Sequence, residues 1–327
     1  MLRLTPTNYH KVVQADKFDI AYGGAEANVI SSLSTFGHNT KFITKLPDNN
    51  IGFKVIKELR ANNIDTKDIL IGEGRLGIYF LESGYGLRGS EVIYDRKYSA
   101  ISMVQKEEID IENILEGVSV VHISGITPAL SKELYEITMN LVKKCKACGV
   151  LVCFDSNYRS KLWSLEEAKK FLEEVLPFVD IAFLGDRDIS NILKIKTKNN
   201  ENNDYDSKLH DFYNELFIKY PNIRYAACTK RTVNSISNNS LKGYLFDGNT
   251  LYNSKEYSFD ILDRVGGGDA FTAGILHGLL TGMEENKTVE FGTVASSLKH
   301  SIIGDTNIVE EESVLSIIDE GLENIKR

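Results

Sequence analysis

Apolar residues recur at helical spacing over residues 25–36, 52–62, 131–148, 164–176, 207–220, 269–280, 284–301 and 310–325, which predicts a helix in each stretch. Between them lie short apolar runs of strand character at 40–46, 119–124, 150–155, 180–184 and 224–229. Strands of this kind, each followed by a helix, point to a parallel sheet covered on both faces. Two segments break the rhythm. Residues 10–21 and 76–99 mix polar and apolar positions, carry tyrosines and glycines, and show few helix signals. They read as a small antiparallel flap at the edge of the main domain. The expected architecture is α/β, a mostly parallel sheet flanked by helices with a small β-sheet lid. It forms a single domain over 1–327, with lid segments at about 8–21 and 76–99. The polar run 196–204 reads as an exposed loop, and no internal repeat is visible.

Composition narrows the class without naming a chemistry. At 327 residues, with 42% hydrophobic and 26% charged, the chain can bury a substantial core. Its net charge of -8 argues against nucleic acid or an anionic membrane as the main partner. No apolar run approaches a transmembrane length and the first residues lack a signal-peptide layout, so the expected location is cytoplasmic. Among Cys145, Cys148, Cys153 and Cys228, only Cys145-Lys146-Ala147-Cys148 has motif spacing. That pair falls at the end of a helical stretch, whereas a redox pair opens one, and no second pair completes a zinc site. These thiols read as helix surface and core.

The most informative stretch is Asp263-Arg264-Val265-Gly266-Gly267-Gly268-Asp269-Ala270-Phe271, which runs into a helix-forming segment. Glycines at a helix N-terminus turn their amides toward one point, where an anion gains from both the N–H groups and the helix dipole. Asp269 suits two jobs there. A carboxylate at that position caps the helix, and it can also take a proton from an attacking hydroxyl. Other phosphate motifs fail. The chain has no Gly-Lys dipeptide, hence no Walker A loop. The fingerprint Gly72-Glu73-Gly74-Arg75-Leu76-Gly77 runs into the strand-like Ile78-Tyr79-Phe80-Leu81, whereas a dinucleotide loop must open a helix.

Gly23-Gly24-Ala25-Glu26-Ala27-Asn28, followed by Phe36-Gly37, Lys45-Leu46-Pro47-Asp48-Asn49 and Ile51-Gly52, resembles the N-terminal signature of the ribokinase-like (PfkB) carbohydrate kinases. Residues 263–271 resemble their C-terminal signature. Within that family, Asp155-Ser156-Asn157-Tyr158-Arg159 with Leu162-Trp163, Gly77-Ile78-Tyr79-Phe80 and Val92-Ile93-Tyr94-Asp95-Arg96 are similar to 2-keto-3-deoxygluconate kinases. The resemblance implies a ribokinase-like fold, ATP and Mg2+ as cofactors, and phosphorylation of a sugar acid at its terminal hydroxyl to the 6-phosphate. It gives Asp269 the role of base, and the amides of Gly266, Gly267 and Gly268 the role of stabilising the transferred phosphoryl group. Gly24, Asn28, Tyr79, Tyr94 and Asp305 are assigned to the substrate, and Arg96 and Arg159 to its carboxylate, which a guanidinium meets well. The same resemblance places Asn157, Thr229, Gly243, Gly266, Gly268 and Asn307 on the nucleotide. A homo-oligomer paired through the lid is expected, since an exposed sheet edge gains from being covered. Fructokinases share part of the Asp155–Arg159 pattern, so a neutral-sugar kinase is the alternative. A non-catalytic sugar-binding regulator is a further one.

Two departures stand out. Where the family places an Asn-x-x-Glu motif for water-bound magnesium, this chain has Gly185-Asp186-Arg187-Asp188, which leaves Asp188 as the metal-side carboxylate, acting through water. Residues 1–6 match only the end of the family's first strand. The expectation is either a start further upstream or the loss of half a core strand.

Overall fold

The computed structural model describes residues 1–197 and 204–321. The middle of the predicted loop 196–204 and the end of the predicted helix 310–325 lie outside the described residues. Helices form where apolar spacing placed them, and their starts carry side chains that satisfy the orphan amides of the first turn. Ser131 accepts from Leu134 at the head of Lys132–Cys148, Ser164 and Glu167 cap Leu165–Val175 reciprocally, and Asn49 accepts from Ile51 and Gly52 ahead of Asn50–Ala61. Cys145 and Cys148 sit on the last turn of a helix that stops at the left-handed Gly149, one thiol buried and the other exposed.

The chain divides into two compact units: Met1–Met103 with Lys230–Gly243 and the residues from Ser254 onward, and Val104–Thr229 with Tyr244–Asn253. In the second unit, Val120–Ser124, Leu151–Asp155, Ile181–Phe183 and the start of Tyr225–Val233 lie side by side and parallel. Val152, Phe154, Ala182 and Ala226 point into a core closed by Phe171, Val175, Leu209, Tyr213 and Leu216 from the helices. Burial of these strands on both faces accounts for their unbroken apolar runs. The sheet continues through Asn238–Phe246 into the antiparallel Leu251–Asn253, while Tyr257–Asp260 pairs antiparallel with the other end of Asn238–Phe246. The apolar pattern had not indicated these last strands.

In the first unit, four strands run in the order Phe18–Tyr22, Leu2–Pro6, Ile78–Glu82, Glu91–Asp95. The expected flap is therefore not purely antiparallel. Leu2–Pro6 lies parallel to Ile78–Glu82 at the centre, and only the outer pairings are antiparallel. The predicted strand 40–46 is also corrected. It breaks into Thr40–Lys41 and Lys45–Pro47, which pair in parallel with Ile64–Asp65 and Leu70–Gly72 and not with the larger sheet. The segment 72–77 leads into the strand Ile78–Glu82 rather than a helix, as the rejection of a dinucleotide loop requires. Helices Gly267–Thr281 and Glu285–Lys299 pack closely enough that a Cβ on Gly274 would come within 2.6 Å of Gly292 Cα. No helix among the described residues is long and apolar enough to cross a membrane.

Candidate active site

The glycine turn is built around Gly266, whose φ of 84° lies in the left-handed region that favours glycine. A side chain there would also collide with the carbonyl of Asp305. The next two glycines open the helix Gly267–Thr281, so their amides belong to the first turn, which has no carbonyl partner inside the helix. Gly267 is fastened from behind, because Ser296 Oγ donates to its carbonyl at 2.7 Å. The His300 ring fills the space where a Cβ of Gly267 would go. Burial pushes that imidazole down to about 4, so it stays neutral, and its Nδ1 donates to the Ser296 carbonyl at 2.7 Å. Gly268 differs from its neighbours: it is exposed, and nothing lies within 4 Å of its missing Cβ. The turn is closed on one side and open on the other.

On the open side stands Asp269, and its carboxylate is held by the helix that follows Gly24. Asn28 Nδ2 donates to Asp269 Oδ2 at 2.6 Å, and Asn28 Oδ1 accepts from the Gly24 amide at 3.3 Å. That second bond decides which end of the side-chain amide faces the acid. Asn28 is buried while Asp269 is partly exposed, so the residue that orients the carboxylate is itself fixed. Gly24 has open space on its side-chain face, with only Ala27 Cβ as near as 4.0 Å. Gly23 lies directly against the Asp305 carboxylate, so closely that only glycine fits.

The lid strands add an aromatic and cationic wall. Tyr79 and Tyr94 are paired across Ile78–Glu82 and Glu91–Asp95 with ring centroids 6.0 Å apart, and the Arg96 guanidinium lies 4.1 Å over the Tyr94 ring. Tyr79 and Asp305 are joined to each other: the phenol donates to Asp305 Oδ2 at 2.5 Å, and both residues are buried. Burial, reinforced by the neighbouring Asp305 carboxylate, holds the Tyr79 phenol far above its ordinary value, so it acts as a donor.

Gly24, Asn28, Tyr79, Tyr94, Arg96, Asp305, Gly266, Gly267, Gly268 and Asp269 thus share the first unit, together with Asn307. Asn307 is buried, its Oδ1 accepts from Val309 at 3.1 Å, and its Nδ2 finds no hydrogen-bond partner among the described residues. Gly243 is packed against Thr293 and Phe271, and both its amide and its carbonyl bond to Ser254, so its backbone groups are already engaged within the protein. Its glycine is needed for helix packing.

Arg159, Asn157, Asp188 and Thr229 belong to the second unit. Arg159 is exposed and its Nη1 donates to the Tyr158 carbonyl. Asn157 takes a left-handed φ of 39°, steadied by Asp155 Oδ1 accepting from its amide at 2.9 Å. Thr229 is half-buried within Tyr225–Val233. Asp188 is engaged on both oxygens, accepting from the Gly185 amide at 2.8 Å and from Ser156 Oγ at 2.9 Å. Burial raises its pKa. The structure uses this carboxylate to tie its own turn.

The sequence profile of the pfkB family carbohydrate kinases matches residues 1–220. The chain belongs to the PfkB family. This PfkB kinase is 29% identical over 327 residues to a 2-dehydro-3-deoxygalactonokinase from Haloferax volcanii, a match covering 100% of this chain and 96% of the relative. The crystal structure of a 2-dehydro-3-deoxygluconokinase from Thermotoga maritima superimposes with a TM-score of 0.92 at 38% identity, covering 97% of this chain and 96% of that one. A PfkB family carbohydrate kinase from Listeria grayi gives a TM-score of 0.91, also at 38% identity, over 97% and 96% of the two chains. The fold is accordingly ribokinase-like and the protein is a carbohydrate kinase. The glycine turn lies beyond the matched profile but within the span aligned with the Haloferax relative. Among the kinase's residues, sequence reasoning missed Arg3 and Lys299, both buried next to the turn. A charged residue inside an apolar strand or helix is the signal that could have singled them out.

Proposed function

We propose that this kinase phosphorylates a sugar acid of the 2-keto-3-deoxygluconate type at its terminal hydroxyl, with ATP as donor and Mg2+ as its counter-ion. The observation that carries this reading is the direct contact of Asn28 with Asp269, which sets the base between two open-faced glycines, Gly24 and Gly268. A hydroxyl lying at Gly24 and a phosphoryl group lying at Gly268 would both be within reach of one carboxylate. In this arrangement Asp269 takes the proton of the attacking hydroxyl, and the first-turn amides receive negative charge as it builds up opposite them.

The residues present suit a nucleotide phosphate: an open glycine, first-turn amides that have no carbonyl partner inside the helix, and the unpartnered Asn307 Nδ2. Gly266, Gly268 and Asn307 would hold it, and Asn157 and Thr229 are proposed from the sequence resemblance. When bound, ATP supplies the phosphoryl group, and Mg2+ neutralises part of its charge. Among the described residues no cluster of three or more His, Cys, Asp or Glu side chains could hold a metal, so Mg2+ would keep mostly water and phosphate ligands.

The sugar-acid assignment is supported by the names of the relatives and by Arg96 stacked on Tyr94. Arg159 is added on the sequence resemblance. A coupled assay over ketodeoxygluconate, ketodeoxygalactonate, fructose and ribose tests the reading. Replacing Arg159 or Arg96 by Leu should remove charge-assisted bonds of about 1.5–3 kcal/mol, roughly one to two decades in kcat/KM for the acid. A neutral ketose should change much less. If both variants leave acid turnover intact, the sugar-acid reading fails while the kinase assignment stands.

A further inference from the structure

Two buried cations of the first unit, Arg3 and Lys299, sit beside the glycine turn and touch neither open glycine. Arg3, 3% exposed, sends Nη2 to Asp263 Oδ2 at 2.6 Å and Nη1 to Asp263 Oδ1 at 3.2 Å. The same Nη1 pairs with Asp305 Oδ1 at 3.1 Å. Asp263 also accepts from the amides of Val265 at 3.1 Å and Gly304 at 2.9 Å, which ties the entry of the glycine turn to the loop 302–305. Lys299 is fully buried, and its ammonium donates to the carbonyls of Ile302 at 3.0 Å and Gly304 at 2.8 Å. The loop is therefore clasped from three sides: Lys299 on its carbonyls, Asp263 on its amide, and Arg3 with Tyr79 on the Asp305 carboxylate. The backbone carbonyl of that same Asp305 lies directly against Gly266. Where the loop sits decides where Gly266 sits.

Burying a guanidinium and an ammonium costs several kcal/mol each, and apolar residues of similar volume often stabilise a fold as well or better. Stability alone is a poor reason for both cations. Burial works against the charge on each. In Arg3 the bonds to Asp263 and the proximity of Asp305 reverse that effect and raise the pKa, whereas Lys299 ends below its ordinary value despite three nearby carboxylates.

We infer that Arg3 and Lys299 are positioning residues for phosphoryl transfer, which hold the loop 302–305 against Gly266 and so fix the amides of Gly266–Gly268 and the Asp269 carboxylate relative to a reacting hydroxyl. Through Tyr79 the same network links the lid strand that faces the sugar to the turn that receives the phosphoryl group. The inference rests on the family's phosphoryl transfer and not on the sugar, so the best substrate from the panel serves as probe.

Arg3→Lys keeps the charge but cannot bridge two carboxylates with a planar fork, and Lys299→Met keeps most of the volume without the charge. Each should lower kcat roughly 10- to 100-fold, as small displacements of reacting groups do. The KM values for sugar and ATP should change less than kcat, because neither substitution removes a group assigned to a ligand. Ammonium chloride should restore part of the turnover of Lys299→Ala, and tetramethylammonium chloride at equal ionic strength should not. Amide hydrogen exchange provides a readout that needs no substrate, so an incorrect choice of sugar leaves the test standing. Arg3→Lys should raise exchange at 265–269 and 302–305 and leave the helix Lys132–Cys148 unchanged. Wild-type kcat in either folded variant, a loss confined to KM, or no local change in exchange would overturn the inference. Should only one variant fold, it decides; failure of both to fold would assign the pair to stability and overturn the inference as well.

Discussion

Asp269 and Gly268 make separable predictions because one carries chemistry and the other carries space. Asp269→Asn preserves shape and the contact region of Asn28 but removes the base, so turnover should fall by roughly 10²–10⁴ while ATP and sugar still bind. Near-normal turnover in a direct phosphorylation assay would reduce Asp269 to a helix cap. Gly268→Ala meets nothing within 4 Å in the protein and gains helix propensity, so thermal stability should be unchanged or slightly raised. Its methyl group enters the space proposed for the phosphate, and activity should drop; an active Gly268→Ala enzyme would place the phosphate elsewhere. The glycine turn at the head of a helix was legible in the sequence because it is written in consecutive residues. Arg3 was not, since its partner Asp263 lies 260 positions away and nothing local marks the pairing. Tyr79 and Asp305 were read as ligand contacts, and their bond to each other, across 226 positions, was equally out of sight.

Helices carried a clear signal along the chain because one turn of periodicity repeats several times within each, whereas a strand of two or three residues has no room to repeat. That is why the run 40–46 looked like one strand and is two, and why the polar beginning of Asn238–Phe246 gave no sign of a nine-residue strand. Gly243 shows a different ambiguity. A glycine inside a strand marks the close approach of something, and sequence does not say whether that is a ligand or a neighbouring helix. Here it is Thr293 and Phe271. The packing of Gly267–Thr281 on Glu285–Lys299 supports a further prediction. Gly274→Ala improves local propensity by about 1 kcal/mol, yet its methyl would stand 2.6 Å from a backbone atom that cannot rotate away. Overpacking of this kind costs about 1–3 kcal/mol, so net destabilisation is expected in urea denaturation. Unchanged stability would mean that the two helices separate freely.

Two buried histidines, His277 and His300, and the half-buried His38 give the protein a dependence on acidity. His38 and His277 share a 2.9 Å contact, His277 also meets Glu311 at 3.2 Å, and His300 lies against the glycine turn; burial lowers the pKa of each. A lowered value means that the unfolded chain binds protons first. The stability of the neutral rings is therefore complete above about pH 6.5 and is lost as pH falls toward the folded value. For His300, at about 4, the loss by pH 5 is roughly 2 kcal/mol. The midpoint of thermal unfolding should fall between pH 7 and pH 5, less steeply in His300→Gln; parallel slopes would show that this ring does not contribute. The bonds that assemble the site also reach across the polypeptide: Asn28 to Asp269 spans 241 positions and Arg3 to Asp263 spans 260. During synthesis Arg3 and Asn28 leave the ribosome first and wait for the turn that carries their partners. A nascent chain halted before residue 263 would hold the Arg3 guanidinium with neither of its carboxylates, exposed to whatever else the cell offers. Assembly of the site thus waits for residues 263–269, and a chaperone or a truncating mutation acting before they emerge would decide whether the chain becomes an enzyme.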